Sequence, residues 1–251
     1  KLKNHMDIIR KIAFKFKPTE KPFIPYAGLF GTISYDFIDQ FEDLPKNTKD
    51  MTNDPDYLLY FLDNLFSIDH KQKKTYFVSN ALITDNDKNR IYNECMSKIG
   101  YYKDAINKNA IKISDNKNRK ILKNIGTDTT KEEYIENVKK IREHIRAGDV
   151  YQAVISRTII SRFNKEPLGI YKKLRNLNPS PYMFYINNSD GILLGASPEM
   201  SLRVEGNKEK IAEIRPIAGT KPRGIISNKI DPDLDSRYEA ELKIDEKEVS
   251  D

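Results

Sequence analysis

Apolar side chains recur along this chain at two spacings, one helical and one alternating. Ile8, Ile9, Ile12 and Phe16 fall on one helical stripe, which predicts a helix over 4–17 that Pro18, Pro22 and Pro25 end. Gly28 to Tyr35 reads as a strand, followed by a short helix to Phe41 and a stop at Pro45. Residues 46–56 are polar and turn-rich. Tyr57 to Ile68 and Thr75 to Ile83 are β-rich runs joined by Asp69-His70-Lys71-Gln72-Lys73, a hairpin by composition. A helical pattern covers Asn86 to Asn107, and the Lys/Asn-rich region up to Ile125 reads as a weakly structured or edge segment.

The second half is more sharply patterned. Tyr134, Val138, Ile141 and Ile145 make one stripe of a helix from Lys131 to Ala147. Thr130 and Glu133 form a capping box at its start, and Gly148 supplies its stop. Val150 to Phe163 alternates faces and predicts a long strand. A helix is expected from Pro167 to Leu177. A hairpin should pair Tyr182–Ile186 with Ile192–Ala196, and a second should pair Ser201–Val204 with Lys210–Ile214. The last segment, from Leu234, reads as a helix continuing to Asp251. Strands in hairpins with helices inserted between them predict an α+β fold of mostly antiparallel sheets flanked by helices. The expected division is into 1–125 and 126–251, with no internal repeat.

Composition narrows the class. Of the 251 residues, 38% are hydrophobic and 32% charged, as in a globular protein on the polar side. No run reaches the roughly 18 apolar residues that cross a bilayer. The charged and apolar alternation of residues 6–14 differs from a signal-peptide core, so no membrane partner is expected. Cys95 is the only cysteine, which excludes an intramolecular disulfide and a Cys-rich metal site and suits the cytoplasm. The net charge of +6 comes mostly from dispersed lysines. Their densest cluster, Lys117 to Lys123, has no interleaved aromatics, so it reads as a solvated face and nucleic acid is not an expected partner. Phosphate-binding glycine loops and a Gly-x-Ser-x-Gly elbow are missing from the sequence, and no carboxylate or cysteine pattern surrounds His5, His70 or His144.

The chemistry concentrates near the end, in Ile214-Arg215-Pro216-Ile217-Ala218-Gly219-Thr220-Lys221-Pro222-Arg223-Gly224. A Gly-Thr step between two prolines, bracketed by Arg215, Lys221 and Arg223, suits a turn that presents N–H groups and a hydroxyl to an anion. Three further segments precede it: Ala147-Gly148-Asp149-Val150-Tyr151-Gln152-Ala153-Val154, Asn178-Pro179-Ser180-Pro181-Tyr182-Met183-Phe184, and Leu194-Gly195-Ala196-Ser197-Pro198-Glu199.

The order and wording of these four segments resemble the chorismate-utilising enzymes, most closely component I of anthranilate synthase. The resemblance is dense from residue 147 onward, and Gly28 to Pro45 looks like the same family's N-terminal half. It implies the fold of that family, present here incompletely, and a reaction. Chorismate, bound with Mg²⁺, is attacked at C2 by ammonia as the C4 hydroxyl leaves. Pyruvate is then eliminated to give anthranilate, the first step of tryptophan biosynthesis. The ammonia comes from a glutamine amidotransferase subunit, component II.

Residue by residue, the resemblance makes Glu199 the general acid at the C4 hydroxyl, a task that burial would assist by raising its pKa. It makes Gly219 and Thr220 the turn that contacts substrate. Relatives that add water carry a lysine base where Gln152 stands, whereas ammonia brings its own lone pair. Aminodeoxychorismate synthases place a nucleophilic lysine where Ala218 stands, a covalent role alanine cannot fill. Gln152 with Ala218 favours the anthranilate branch, and component I of aminodeoxychorismate synthase is the alternative. Glu248 and Asp251 correspond to acidic groups for Mg²⁺, Asp251 being one methylene shorter than the family's glutamate. Asn178, Pro179, Pro181, Tyr182 and Met183 correspond to a pocket for L-tryptophan as feedback inhibitor, although the Leu-Leu-Glu-Ser motif that accompanies it elsewhere is not found. Residues that complete the family's site further on are not located either. The chain therefore reads as part of a longer protein, expected to form no anthranilate alone.

Overall fold

A computed structural model describes residues 4–16, 27–45, 52–83, 87–108, 125–163, 166–188, 191–206, 209–217 and 219–245. The chain divides into two compact units, Lys1–Ser114 and Asp115–Asp251.

In the first unit, α1 (His5–Ala13) starts where Asn4 Oδ1 accepts the Asp7 N–H at 3.1 Å. Strand β1 (Leu29–Ile33) runs antiparallel to β2 (Tyr57–Phe61), from Leu29↔Phe61 to Ile33↔Tyr57. Between them a 3-10 helix, Tyr35–Gln40, buries Phe37, whose ring meets Phe41 and Tyr57 edge-on at 5.8 and 5.7 Å. Strands β3 (Asn64–Asp69) and β4 (Lys74–Ser79) form the expected hairpin, with α2 (Lys88–Lys108) packed on β4.

The sequence reads Tyr57 to Ile68 as one run; the structure makes it two strands. The break falls at Leu62 and Asp63, whose carbonyls accept the Asn80 Nδ2 and N–H at 3.0 and 2.6 Å. Upstream of that point the chain pairs with β1, and downstream of it with β4.

The second unit opens with β5 (Ile125–Thr127) and α3 (Lys131–Ala147). Its capping box is complete: Thr130 Oγ1 accepts the Glu133 N–H at 3.2 Å, and Glu133 Oε2 accepts the Thr130 N–H at 2.8 Å. Gly148, left-handed at φ 82°, closes the other end, and the Asp149 N–H returns to the His144 carbonyl at 3.0 Å. Then follow β6 (Ile159–Ser161), α4 (Pro167–Leu177), β7 (Tyr182–Asn187), β8 (Ile192–Ser197), β9 (Met200–Glu205), β10 (Ile211–Arg215), β11 (Ile225–Ile226), β12 (Lys229–Ile230) and α5 (Pro232–Lys243). Each strand pairs antiparallel with one neighbour: β5 with β6, β7 with β8, β9 with β10, β11 with β12. Helix α4 packs on β7 and β8, where Tyr171 and Tyr185 meet ring edge to ring face at 5.7 Å.

Two expectations need correction here. Of the long strand expected over Val150 to Phe163, only Ile159–Ser161 is ladder-paired, with Thr127 to Ile125. Alternation alone did not make a strand of 150–158, since extended backbone needs a hydrogen-bonded neighbour. The final helix stops at Lys243, where the Ile244 N–H turns back to the Leu242 carbonyl. Residues 246–251 lie outside the described residues, as do 46–51, most of the Lys/Asn-rich stretch, and Asn207 of the expected turn after β9. Among the described residues the buried apolar side chains are Phe37 and Met200.

Candidate functional site

Two hairpins in series build the centre of the second unit. In the first, Tyr182 faces Ser197 and Met183 faces Ala196. Phe184 lies over Gly195, where an added Cβ would come within 2.8 Å of the ring, so a larger residue at that step would push the Phe184 ring aside. Immediately after β8, Ser197 folds the chain back on itself. Its Oγ donates to the Glu199 carbonyl at 3.1 Å and accepts the Glu199 N–H at 3.4 Å. Pro198 stiffens the same turn.

Glu199 therefore sits at the junction of the two hairpins, one residue before the buried Met200. Across the second ladder Met200 faces Arg215, the residue from which the 215–224 segment departs. The register shifts between Glu213↔Arg203 and Arg215↔Met200, which opposes Ser201 and Leu202 to Ile214. A bulge of this kind bends its strand and re-aims the side chains beyond it. Arg215 donates through Nε to Glu213 Oε1 at 2.6 Å. The ladder thus brings Glu199 and Arg215, which lies four residues before Gly219, to one end of the hairpin pair.

Glu199 is exposed. Gly219 is half-buried and Thr220 exposed; Ala218 lies outside the described residues. Gln152 is exposed on the run between α3 and β6, and β6 pairs with β5, not with the hairpins that carry Glu199. Nearby, Asp128 accepts the Thr158 N–H through Oδ1 at 2.9 Å, and bonds from Thr158 hold its carboxyl below the usual carboxylate range. The stretch matched to the inhibitor pocket joins α4 to β7. Asn178 caps α4, its N–H on the Leu174 carbonyl at 2.8 Å, and its own carbonyl accepts Ser180 Oγ at 3.4 Å. Pro179 and Pro181 then lead into exposed Tyr182 and half-buried Met183.

Glu248 and Asp251 lie outside the described residues. Among the described residues there is no group of three or more His, Cys, Asp or Glu side chains able to hold a metal ion. His144, for which sequence analysis found no carboxylate, contacts one, Asp149 Oδ2, at 2.7 Å. No described helix is long and apolar enough to cross a membrane.

One contributor was not anticipated from sequence. The backbone N–H of buried Gly224 donates to Asp235 Oδ1 at 2.8 Å, tying the end of the 215–224 segment to α5. The signal for it was present in Asp231-Pro232, an N-cap followed by a proline at N1, which starts the helix two residues ahead of the Leu234 that sequence analysis chose. Starting there puts Asp235 in the first turn, with its carboxylate available to a neighbouring backbone.

The model of one protein family, described as chorismate binding enzyme, matches residues 3–250. Anthranilate synthase component 1 of Buchnera aphidicola subsp. Pemphigus spyrothecae is 38% identical over 226 residues, which cover 90% of this chain and 41% of that protein. The protein of the same name from Acetivibrio thermocellus is 34% identical over 256 residues, 98% of this chain and 50% of that one. In structure, the chain matches anthranilate synthase component I from Streptococcus pneumoniae TIGR4 with a TM-score of 0.76 at 22% identity, covering 98% of this chain and 51% of that one. The chain spans about half the length of the relatives it matches.

Proposed function

The chain belongs to the chorismate-binding enzymes, and from that premise we propose that it carries part of the chorismate site of an anthranilate synthase component I. The observation that supports this reading most is the β9–β10 register, which sets Glu199 one residue from the partner of Arg215 at the entry to the Gly219–Thr220 turn. An acid and an anion-receiving turn at one end of a rigid hairpin pair suit a substrate that carries carboxylates around a departing hydroxyl.

In this reading Glu199 gives its proton to the C4 hydroxyl oxygen, which leaves as water while ammonia forms the bond at C2. The Gly219 and Thr220 backbone N–H groups and the Thr220 hydroxyl donate to a substrate carboxylate. Gln152 contributes an amide that neither holds nor releases a proton near neutrality, so the attacking group is an amine that supplies its own lone pair. Loss of the C2 proton and of the enolpyruvyl side chain as pyruvate then leaves anthranilate. Glu248 and Asp251 offer the hard oxygen donors that Mg²⁺ takes, and a bound Mg²⁺ would neutralise substrate carboxylate charge. A glutamine amidotransferase subunit supplies the ammonia, L-tryptophan binds the Asn178 to Met183 stretch as inhibitor, and the protein works in the cytoplasm.

Product identity tests the proposal. Chorismate, ammonium and Mg²⁺ are given to a fused enzyme in which the chain replaces the stretch of the Acetivibrio thermocellus relative that it matches. Anthranilate, identified by fluorescence and retention time, supports the reading. Aminodeoxychorismate as the product would move the chain to the 4-amino branch and overturn it.

A further inference from the structure

Between the Gly219–Thr220 turn and α5 the chain runs as a strap fastened at three points. Lys221 Nζ meets Glu241 Oε2 at 3.1 Å. Arg223 Nη2 meets Asp235 Oδ2 at 2.7 Å. The Gly224 N–H donates to the other oxygen of the same carboxylate at 2.8 Å, and the Gly224 carbonyl accepts the Asp231 N–H at 2.7 Å. Three residues of extended chain span about 10 Å, and the six helical steps from Asp235 to Glu241 rise about 9 Å. The strap therefore runs antiparallel to α5, its two anchors set about a third of a turn apart around the helix, a difference the long Lys221 side chain bridges.

Gly224 is pressed against the helix so closely that a Cβ would collide with the Asp235 backbone nitrogen and come within 2.7 Å of the Leu234 carbonyl carbon. Beyond it, β11 and β12 turn through Ser227 and Asn228, at φ 50° and 63°, and bring the chain back to the Asp231 cap. Asp231 Oδ1 accepts the Leu234 N–H at 2.8 Å, which holds the first turn of α5 in place beneath the strap. Asp235 is the member that joins everything: one carboxylate oxygen holds strap backbone, the other holds a strap side chain, and its side chain is 23% exposed.

We infer that Asp235 is a positioning residue, with Glu241 as second anchor, whose latch on Gly224 and Arg223 holds the Gly219–Thr220 turn in the conformation that receives a substrate carboxylate. This rests on the proposed role of that turn in chorismate binding. A turn that is ordered before the ligand arrives gives up less freedom on binding, so loosening it weakens apparent affinity in proportion to the fraction of time it is competent.

The test combines backbone ¹⁵N relaxation at Gly219 and Thr220 with a chorismate titration followed on the same amides, in the 251-residue chain. Asp235→Ala should lower the order parameters of these two amides from about 0.85 toward about 0.6 and weaken chorismate about tenfold. Asp235→Asn keeps an oxygen acceptor for the Gly224 N–H but loses the one that holds Arg223, so it should restore order parameters and affinity in part, to within about fivefold of the parent. Rescue by asparagine is what a general loss of folding would not give. If Asp235→Ala also disorders α3, Glu241→Ala replaces it, since it removes every acceptor for Lys221, and a loosened Gly219–Thr220 pair there supports the latch. Order parameters unchanged in the variant overturn it. Chorismate that leaves both amides undisturbed in the parent chain, while Asp235→Ala still loosens them, keeps the latch and removes the turn's substrate role.

Discussion

Glu199 reaches its place through backbone bonds to Ser197, not through burial. If it is the acid of the proposed reaction, Glu199→Gln keeps the turn and removes the proton. Activity of the fused enzyme should then fall by about 10²–10⁴-fold, with the circular dichroism of the chain unchanged. Steady-state rates with ammonia as donor check this, and a loss under tenfold would reassign the role. Gly224 poses the converse case. It carries no chemistry, yet a methyl group there meets helix backbone that cannot swing aside. Gly224→Ala should destabilise the second unit by about 1–3 kcal/mol, read as a lower urea midpoint at unchanged slope. Both residues were visible in the sequence, but for unequal reasons. Glu199 was found from its motif, whereas the importance of Gly224 depends on a helix ten residues further on.

Among the elements, α3, α4 and the hairpins β3–β4, β7–β8 and β9–β10 follow from local pattern, because their stabilising features are local too. The capping box of α3 is the clearest case. Bonds from the Thr130 backbone N–H and then its hydroxyl hold the Glu133 carboxyl below its ordinary value, so the ionised form favours the folded helix end. That contribution is complete above the ordinary carboxylate pKa of about 4.3 and disappears as pH falls through the depressed folded value. Thr130→Ala should cost about 0.5–2 kcal/mol at neutral pH. It should also flatten the acid limb of thermal stability in proportion, as melting curves from neutral pH downward would measure. The segments that sequence misread are those whose state is decided at a distance. Tyr57 to Ile68 is continuous in pattern but changes partner from β1 to β4 at Leu62 and Asp63, and Val150 to Val154 alternates but belongs to none of the described strands. The end of α5 at Lys243 went unseen for a similar reason, since acidic residues beyond it keep up a helical composition.

At the scale of the molecule, every described ladder lies wholly within Lys1–Ser114 or Asp115–Asp251. Cutting between Ser114 and Asp115 severs none of them. The far-ultraviolet circular dichroism of the two pieces, produced separately, should therefore sum to that of the whole chain; a deficit would show that secondary structure in one unit depends on the other. All six described sheets are two-stranded, so each can close as soon as its own two strands exist. This arrangement has a consequence during synthesis. A hairpin closes in about 1–10 μs, whereas a ribosome adds about 5–20 residues each second. Each ladder is complete long before the next has been translated, and it then stands without the rest of the chain for a time set by elongation alone. Nascent chains crowded on one message meet one another in that interval, so the yield of properly folded protein should depend on how densely ribosomes are loaded more than on how fast any hairpin forms.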